Sequence, residues 1–178
     1  MIDEPVCFLE GNGCKVFVHM GYHDALKTLV QSIVIEAAPA LVWVALTEFG
    51  AGEKWRNADF ETDWTIGVPF KITAKMGEQT YQDAGCVLRF DPPSVLEYTH
   101  WSRITGLPDT PESRSTIRMS LDPRGRTTLL TVEQQVPPSP VTHGAGWEIG
   151  PESGWKHWGF YWRVTLPVLK AVVERGSG

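Results

Sequence analysis

The chain has 178 residues, of which 42% are hydrophobic and 21% are charged, and these values are typical of a single compact domain with a sizeable core. Sixteen basic and twenty-one acidic side chains give a formal net charge of −5, and no basic cluster stands out, which argues against a nucleic-acid partner. No apolar run is long enough to cross a bilayer, and the start lacks the pattern of a signal peptide. We therefore expect a cytoplasmic protein without a membrane span.

The three cysteines are Cys7, Cys14 and Cys86. An odd number in a chain of this length argues against a disulfide framework and for a reducing compartment, with Cys86 as a buried, inert thiol. Cys7 and Cys14 could form a zinc site together with His19 and His23. However, structural zinc sites usually begin with a tight Cys-x-x-Cys pair, which the chain lacks here. The sequence therefore predicts no metal site, and it gives no indication of a cofactor.

The first elements of the chain can be placed from periodicity and breakers. Residues 1–27 have mixed polarity and are interpreted as an N-terminal extension, and residues 28–176 as one domain. An alternating β-branched run over residues 29–36 predicts the first strand. Pro39 suits the first turn of a helix of about ten residues, and a second short helix is predicted around residues 53–55.

From residue 59 to residue 135 the chain has the pattern of a β-meander. Six alternating runs are separated by turns rich in Gly and Pro and have no helix between them, which predicts an antiparallel sheet. With the first strand, this gives a sheet of about seven strands. The six runs are 60–64, 68–74, 80–90, 95–104, 113–121 and 126–135, and a loop over 136–154 follows them.

A long closing helix is predicted over residues 154–174. At the helical advance of about 100° per residue, its tryptophans and leucines share one face, and these tryptophans either fill the core or roof a pocket. A second apolar stripe lies opposite and includes Phe160, Val164 and Val168. Since a helix that is apolar on two faces needs two partners, we expect this stripe to be covered by the N-terminal extension or by a second copy of the protein.

Several short motifs follow one another along the chain in a recognisable order. They are Ala38-Pro39 with Trp43, Lys54-Trp55, Gly67 with Phe70, Gly85-Cys86-Val87, Asp91-Pro92-Pro93, Leu96-Glu97-Tyr98-Thr99, Gly125 with Thr127-Thr128, and Gly154-Trp155. Their order over residues 29–174 resembles the START-like superfamily of helix-grip proteins. Within it, the chain is most similar to the branch related to the C-terminal domain of the activator of the Hsp90 ATPase.

This resemblance implies an α+β helix-grip fold. A curved antiparallel sheet of about seven strands would wrap around the long C-terminal helix, with two short helices after the first strand and a hydrophobic cavity between sheet and helix. The superfamily includes lipid carriers, hormone receptors, polyketide cyclases and chaperone activators, so the fold alone does not determine the function.

No strong catalytic signature is present, since the chain lacks a Gly-x-Ser-x-Gly elbow, a Walker loop and a His-Glu-x-x-His motif. His100 shares one side of its strand with Leu96 and Tyr98, so it is expected to point inward. There it would hydrogen-bond a ligand or act as a general acid or base, or it would be a satisfied rim or core histidine. Tyr81 and Asp83 share a strand face and would join it unless a bulge reverses their direction.

The sequence favours a non-enzymatic protein that binds a hydrophobic or aromatic small molecule in this cavity. Two alternatives remain open: an enzyme of the cyclase, dehydratase or hydrolase type that uses His100, and a protein-interaction module with a chaperone partner. A homodimer is a further expectation. The predicted ligand-binding residues are Phe70, Ile72, Tyr81, Tyr98, His100, Met119, Trp155, Trp158 and Trp162.

Overall fold

The computed structural model describes residues 6–10, 13–17, 26–144 and 147–176. Two strands, β1 (Val6–Glu10) and β2 (Gly13–Phe17), form an antiparallel hairpin ahead of the main sheet. Among the described strands they pair only with each other.

Seven strands form one antiparallel sheet in the order β3-β9-β8-β7-β6-β5-β4. The strands are β3 (Lys27–Ile35), β4 (Ala58–Glu61), β5 (Pro69–Met76), β6 (Gln79–Asp91), β7 (Val95–Trp101), β8 (Ser115–Arg124) and β9 (Thr127–Val136). Strands β4 to β9 follow each other as a meander, and β3 closes the order beside β9. A small hairpin of β10 (Thr142–Gly144) and β11 (Trp147–Ile149) lies in the loop predicted over residues 136–154.

Three α-helices among the described residues complete the domain. Helix α1 (Pro39–Thr47) begins with Pro39 in its first turn, as predicted, and α2 (Glu53–Arg56) is one turn long. Helix α3 (Ser153–Gly176) spans 24 residues and packs along β3 and against α2. Together with the sheet, these helices confirm the predicted α+β helix-grip fold, with two short helices after the first strand of the main sheet.

The core lies between the sheet and one face of α3. The helix buries a stripe at intervals of three and four residues, namely Trp162, Leu166, Leu169 and Val173. In β8, every second residue from Ser115 to Leu121 is buried, which is the two-residue period of a strand with one face on the core. No described helix is long and apolar enough to span a membrane.

Gly85 in β6 allows an unusually close approach of neighbouring groups. A Cβ atom at this position would lie 2.4 Å from Cζ of Phe70 and 2.6 Å from the carbonyl oxygen of Thr99. The register of β6 shifts only further along, between Val87 and Arg89. Since the bulge lies beyond Gly85, it does not reverse the preceding half of the strand.

Cys86 corrects an expectation from the sequence. Its side chain is fully buried in β6 and it is disulfide-bonded, so it is not an inert free thiol. The count of three cysteines therefore gives no support to a reducing compartment, because one intramolecular bond is compatible with an odd number.

Candidate functional site

A cavity of about 190 Å³ lies between the sheet and the helices α2 and α3. The apolar part of its wall comes from strands and from the first half of α3, and it is mainly aromatic. The larger apolar and aromatic side chains of this wall are Ile72, Tyr98, Ile117, Trp158, Tyr161 and Trp162. The site therefore combines an aromatic wall with few polar groups, as small-molecule pockets usually do.

Six of the nine residues predicted to bind a ligand line this cavity. They are Ile72, Tyr81, Tyr98, His100, Trp158 and Trp162. The strand period brings the first four to the concave face, and the helical period brings the two tryptophans over them.

The other three predicted residues lie elsewhere. Phe70 is in the core, with its ring centroid 5.4 Å from that of Phe60, and Met119 is 1% exposed. Trp155 lies at a separate groove beside Val136 to Pro138. The ammonium group of Lys27 lies 5.9 Å from the centre of the Trp155 ring. These three side chains do not contribute to the cavity wall.

His100 forms a buried pair with Asp83 at the cavity wall. Nε2 of His100 lies 3.1 Å from Oδ2 of Asp83, and the two side chains are 8% and 6% exposed. The other carboxylate oxygen, Oδ1, accepts the backbone N–H of Arg103 at 2.9 Å. Burial by itself would raise the pKa of Asp83, but the hydrogen bond and charge of His100 and the N–H of Arg103 hold this pKa below its usual value. Asp83 is therefore ionised at neutral pH.

The second ring nitrogen of His100, Nδ1, is buried and has no hydrogen-bond partner among the described residues. The Trp158 ring packs edge-on against the imidazole, with 5.2 Å between the centroids. A void of about 20 Å³, lined in part by serine side chains, also borders His100, which is room for one water molecule. A carboxylate that orients an imidazole is one arrangement that general acid–base catalysis uses.

A buried chain of hydrogen bonds links α3 to the strands β9, β8 and β7. Nε1 of Trp162 donates to Oε1 of Gln134 at 2.6 Å, and Nε2 of Gln134 donates to Oγ of Ser115 at 3.1 Å. Ser115 in turn donates to the carbonyl oxygen of His100 at 3.2 Å. Helix α3, which forms the roof of the cavity, is therefore held on the sheet by specific polar contacts as well as by packing.

Arg56 is a cavity residue that sequence reasoning missed. It is the last residue of α2, it is 9% exposed, and its guanidinium carbon lies 3.7 Å from the centre of the Phe60 ring. Asn57 follows in the left-handed region with φ 53°, and this turns the chain directly into β4. A lone arginine in a polar, glycine-rich segment normally predicts a solvated side chain, so no signal in the sequence identifies it.

Two further polar groups sit beside Arg56 on the wall, the phenols of Tyr98 and Tyr161. Burial raises the pKa of both phenols, that of Tyr161 to about 12, although the Arg56 charge lowers each of them in part. Both phenols are therefore neutral at physiological pH. Among the described residues, no group of three or more His, Cys, Asp or Glu side chains could hold a metal ion.

Several solved structures share this fold. ChR145 from Cytophaga hutchinsonii is 24% identical, with a TM-score of 0.64 over 85% of this chain and 96% of that protein. The Aha1 dimer from Colwellia psychrerythraea is 20% identical, with a TM-score of 0.60 over 85% of this chain and 99% of the other. DynU16, a protein of the dynemicin biosynthetic locus, is 17% identical, with a TM-score of 0.63 over 84% of this chain and 48% of DynU16. At these identities the similarity shows the fold alone.

No curated protein is significantly similar to the chain in sequence. The family model described as "Activator of Hsp90 ATPase homolog 1-like protein" matches residues 36–167. This range begins directly after β3, extends into α3 and includes the residues of the cavity wall. The chain therefore belongs to the Activator of Hsp90 ATPase homolog 1-like family, within the START-like helix-grip superfamily.

Proposed function

We propose that this protein binds a small aromatic or hydrophobic molecule in the cavity between its sheet and α3. The observation that carries the proposal is the aromatic cavity itself, because a domain with no ligand to accommodate would fill this volume with side chains. The polar groups on the wall, Arg56, Asp83 and His100 among them, would then orient the ligand.

The volume limits the size of that molecule. An apolar cavity of about 150 Å³ holds one benzene ring, and the cavity here has about 190 Å³. One substituted ring, or a ring with a short side arm, therefore fits. A steroid or a long lipid chain is too large to lie wholly within this volume.

Tryptophan fluorescence tests the proposal, since Trp158 and Trp162 line the wall. Titration with a neutral single-ring compound such as ethylbenzene or cinnamamide should change the emission saturably, at about micromolar to millimolar concentration. Ala74 also lines the cavity, so Ala74→Phe should fill the space and abolish the change. Ala40→Phe adds the same ring at an exposed position of α1 and should leave it intact. A non-saturable response, or an equal response in both variants, would contradict the proposal.

A second candidate function is proton-transfer catalysis of the cyclase, dehydratase or hydrolase type. The buried Asp83–His100 pair at the wall favours it. Wild-type protein is incubated with aromatic polyketide mimics, and His100→Gln serves as the matched variant, because glutamine keeps hydrogen bonding but cannot cycle a proton. Catalysis predicts that turnover falls by about two to four orders of magnitude while binding persists. Absence of turnover in the wild type would exclude this candidate for the compounds used.

The exposed face of α3 supports a second copy of the chain as a partner. Phe160, Val164 and Val168 on this face are 59%, 45% and 42% exposed, and such an apolar stripe commonly marks an interface. The Colwellia protein with this fold forms a dimer. A chaperone of the Hsp90 type is the alternative occupant that the family name implies. Sedimentation of the protein alone and then with that chaperone distinguishes the two.

A further inference from the structure

Arg56 is a buried cation that has no counter-ion among the described residues. Its Nε donates to the carbonyl oxygen of Ala58 at 3.3 Å, but its Nη2 is buried and has no hydrogen-bond partner among the described residues. The guanidinium forms no ion pair with any carboxylate of those residues. Buried charges in proteins are normally paired, because removal of a charge from water is costly. Within the described part of the chain, Arg56 therefore lacks a partner of negative charge.

The chain around Arg56 holds it in this place. A Cβ atom on Gly52 would lie 2.2 Å from the carbonyl oxygen of Ala58 and 3.1 Å from Nε of Arg56, so the turn closes only with glycine at this position. The guanidinium stacks on Phe60 and faces Trp55 at 5.0 Å. These cation–π contacts orient the guanidinium and offset part of the free-energy cost of its desolvation. They supply no hydrogen-bond acceptor for Nη2.

The other charged or ionisable groups on the wall do not neutralise Arg56. Tyr98 and Tyr161 are protonated phenols, as described above. Asp83 is bonded to His100 and to the N–H of Arg103. Lys75, itself a cation, is paired with Glu53 at 2.7 Å, and desolvation lowers the pKa of His157, so that this imidazole adds no charge at neutral pH. Of the two cations on the described wall, Lys75 is therefore paired with a carboxylate and Arg56 is not.

We propose that the ligand is a small aromatic acid whose carboxylate pairs with Arg56. This inference rests on the proposed function, because it concerns the occupant of the same cavity. A guanidinium binds a carboxylate through charge-assisted hydrogen bonds that are stronger than bonds between neutral groups. A phosphate fits less well, since its second negative charge would need a further free cation, and Lys75 on the wall is already paired with Glu53. The aromatic ring then lies against Trp158 and Tyr161, and the acid group lies at α2.

A pair of nearly isosteric ligands tests this proposal on the unmodified protein. Cinnamate and cinnamamide have the same ring and side arm and differ in the charge of the terminal group. Calorimetric titration should give at least about tenfold tighter binding of cinnamate, since charged hydrogen bonds exceed neutral ones in strength. Equal affinity of the two compounds would overturn the role of Arg56 and leave the proposed function standing. Failure of both to bind would count against both proposals.

Two arginine variants test whether Arg56 is the source of the preference for the acid over the amide. Arg56→Met keeps a long apolar side chain but removes the charge, and it should bind the acid and the amide equally. Arg126→Met removes the same charge at an exposed position between β8 and β9 and should keep the wild-type preference. Loss of the preference in both variants would show an effect of net charge and would overturn the proposal. If Arg56→Met does not fold, the comparison of cinnamate and cinnamamide on the wild type still tests whether the cavity prefers a carboxylate.

Discussion

Nε1 of Trp162 donates a hydrogen bond of 2.6 Å to Oε1 of Gln134, which links the long helix to the ninth strand. The two side chains are 1% and 0% exposed. A buried indole N–H without an acceptor destabilises the fold, since it loses its bond to water and gains none in exchange. Gln134 is therefore the polar anchor of the cavity roof.

Gln134→Leu should destabilise the protein. The leucine leaves Trp162 without its acceptor and Ser115 without its donor, so we expect a loss of about 1–3 kcal/mol in the free energy of unfolding, measured by urea denaturation. Gln135→Leu, at the neighbouring half-buried position of the same strand, should change it by less than about 0.5 kcal/mol. Equal stability of the two variants would show that the anchor contributes nothing.

Gly85→Ala and Gly159→Ala should have opposite effects. The added methyl group at Gly85 would collide with Phe70 and with the backbone of Thr99, which we expect to cost about 1–3 kcal/mol. At Gly159, within α3, the nearest atom would be Cδ2 of Leu29 at 3.6 Å, an ordinary contact. There alanine should stabilise the helix by about 0.5–1 kcal/mol. Thermal unfolding of both variants checks the signs, and a tolerated Gly85→Ala would mean that β5 and β7 can move apart.

The contribution of Asp83 to stability should depend on pH. Its folded-state pKa lies below the ordinary 3.8, so the stabilisation by the ionised carboxylate is complete above about that pH. It is lost as the pH falls through the lower folded-state pKa. Asp83→Asn should therefore cost about 1.5–3 kcal/mol at neutral pH, and this difference from the wild type should shrink in acid.

Asp122→Asn is the matched control for this titration, because the Asp122 side chain is 62% exposed. It should change the free energy of unfolding little at any pH. A difference between wild type and Asp83→Asn that stays constant from neutral pH into acid would refute the linkage.

Phe160→Lys should weaken self-association. Phe160 is 59% exposed on α3, and a charge in the middle of an apolar interface is costly to desolvate. Sedimentation velocity should therefore detect dimers of the wild type and monomers of the variant at the same concentration. Arg163→Lys, at an exposed helix position, should sediment like the wild type. A monomeric wild type would contradict the dimer proposal and would leave the proposal of ligand binding in the cavity unaffected.

The fold could be predicted from the sequence because its signals are local and periodic. The alternation around Leu96 and Tyr98 identifies the inward face of β7, and the turns fix the order of the strands. The same alternation predicts that His100 points inward, and it lies on the cavity wall. Periodicity, however, identifies which residues of an element point inward. It does not show which of them reach the cavity and which lie in the filled core. Phe70 and Met119 point inward but lie in the filled core.

The remaining site residues depend on contacts between distant parts of the chain. Trp155 and Trp162 are two turns apart on the same helical face, but Trp155 lies beyond the cavity, beside the loop that follows β9. Arg56 becomes a wall residue only because the tight turn from Gly52 to Ala58 returns its side chain to the interior. Burial of an arginine by such a turn has no periodic signature in the sequence.

The most direct test of ligand binding is an NMR titration that follows the indole N–H signals with cinnamate and with cinnamamide. Trp158 and Trp162 line the cavity, whereas Trp155 lies outside it, so the tryptophans themselves serve as probe and internal control. We expect saturable shifts of the Trp158 and Trp162 signals and no comparable shift of the Trp155 signal. An absence of saturable shifts with either compound, or shifts at Trp155 alone, would contradict the assignment of this cavity as the binding site.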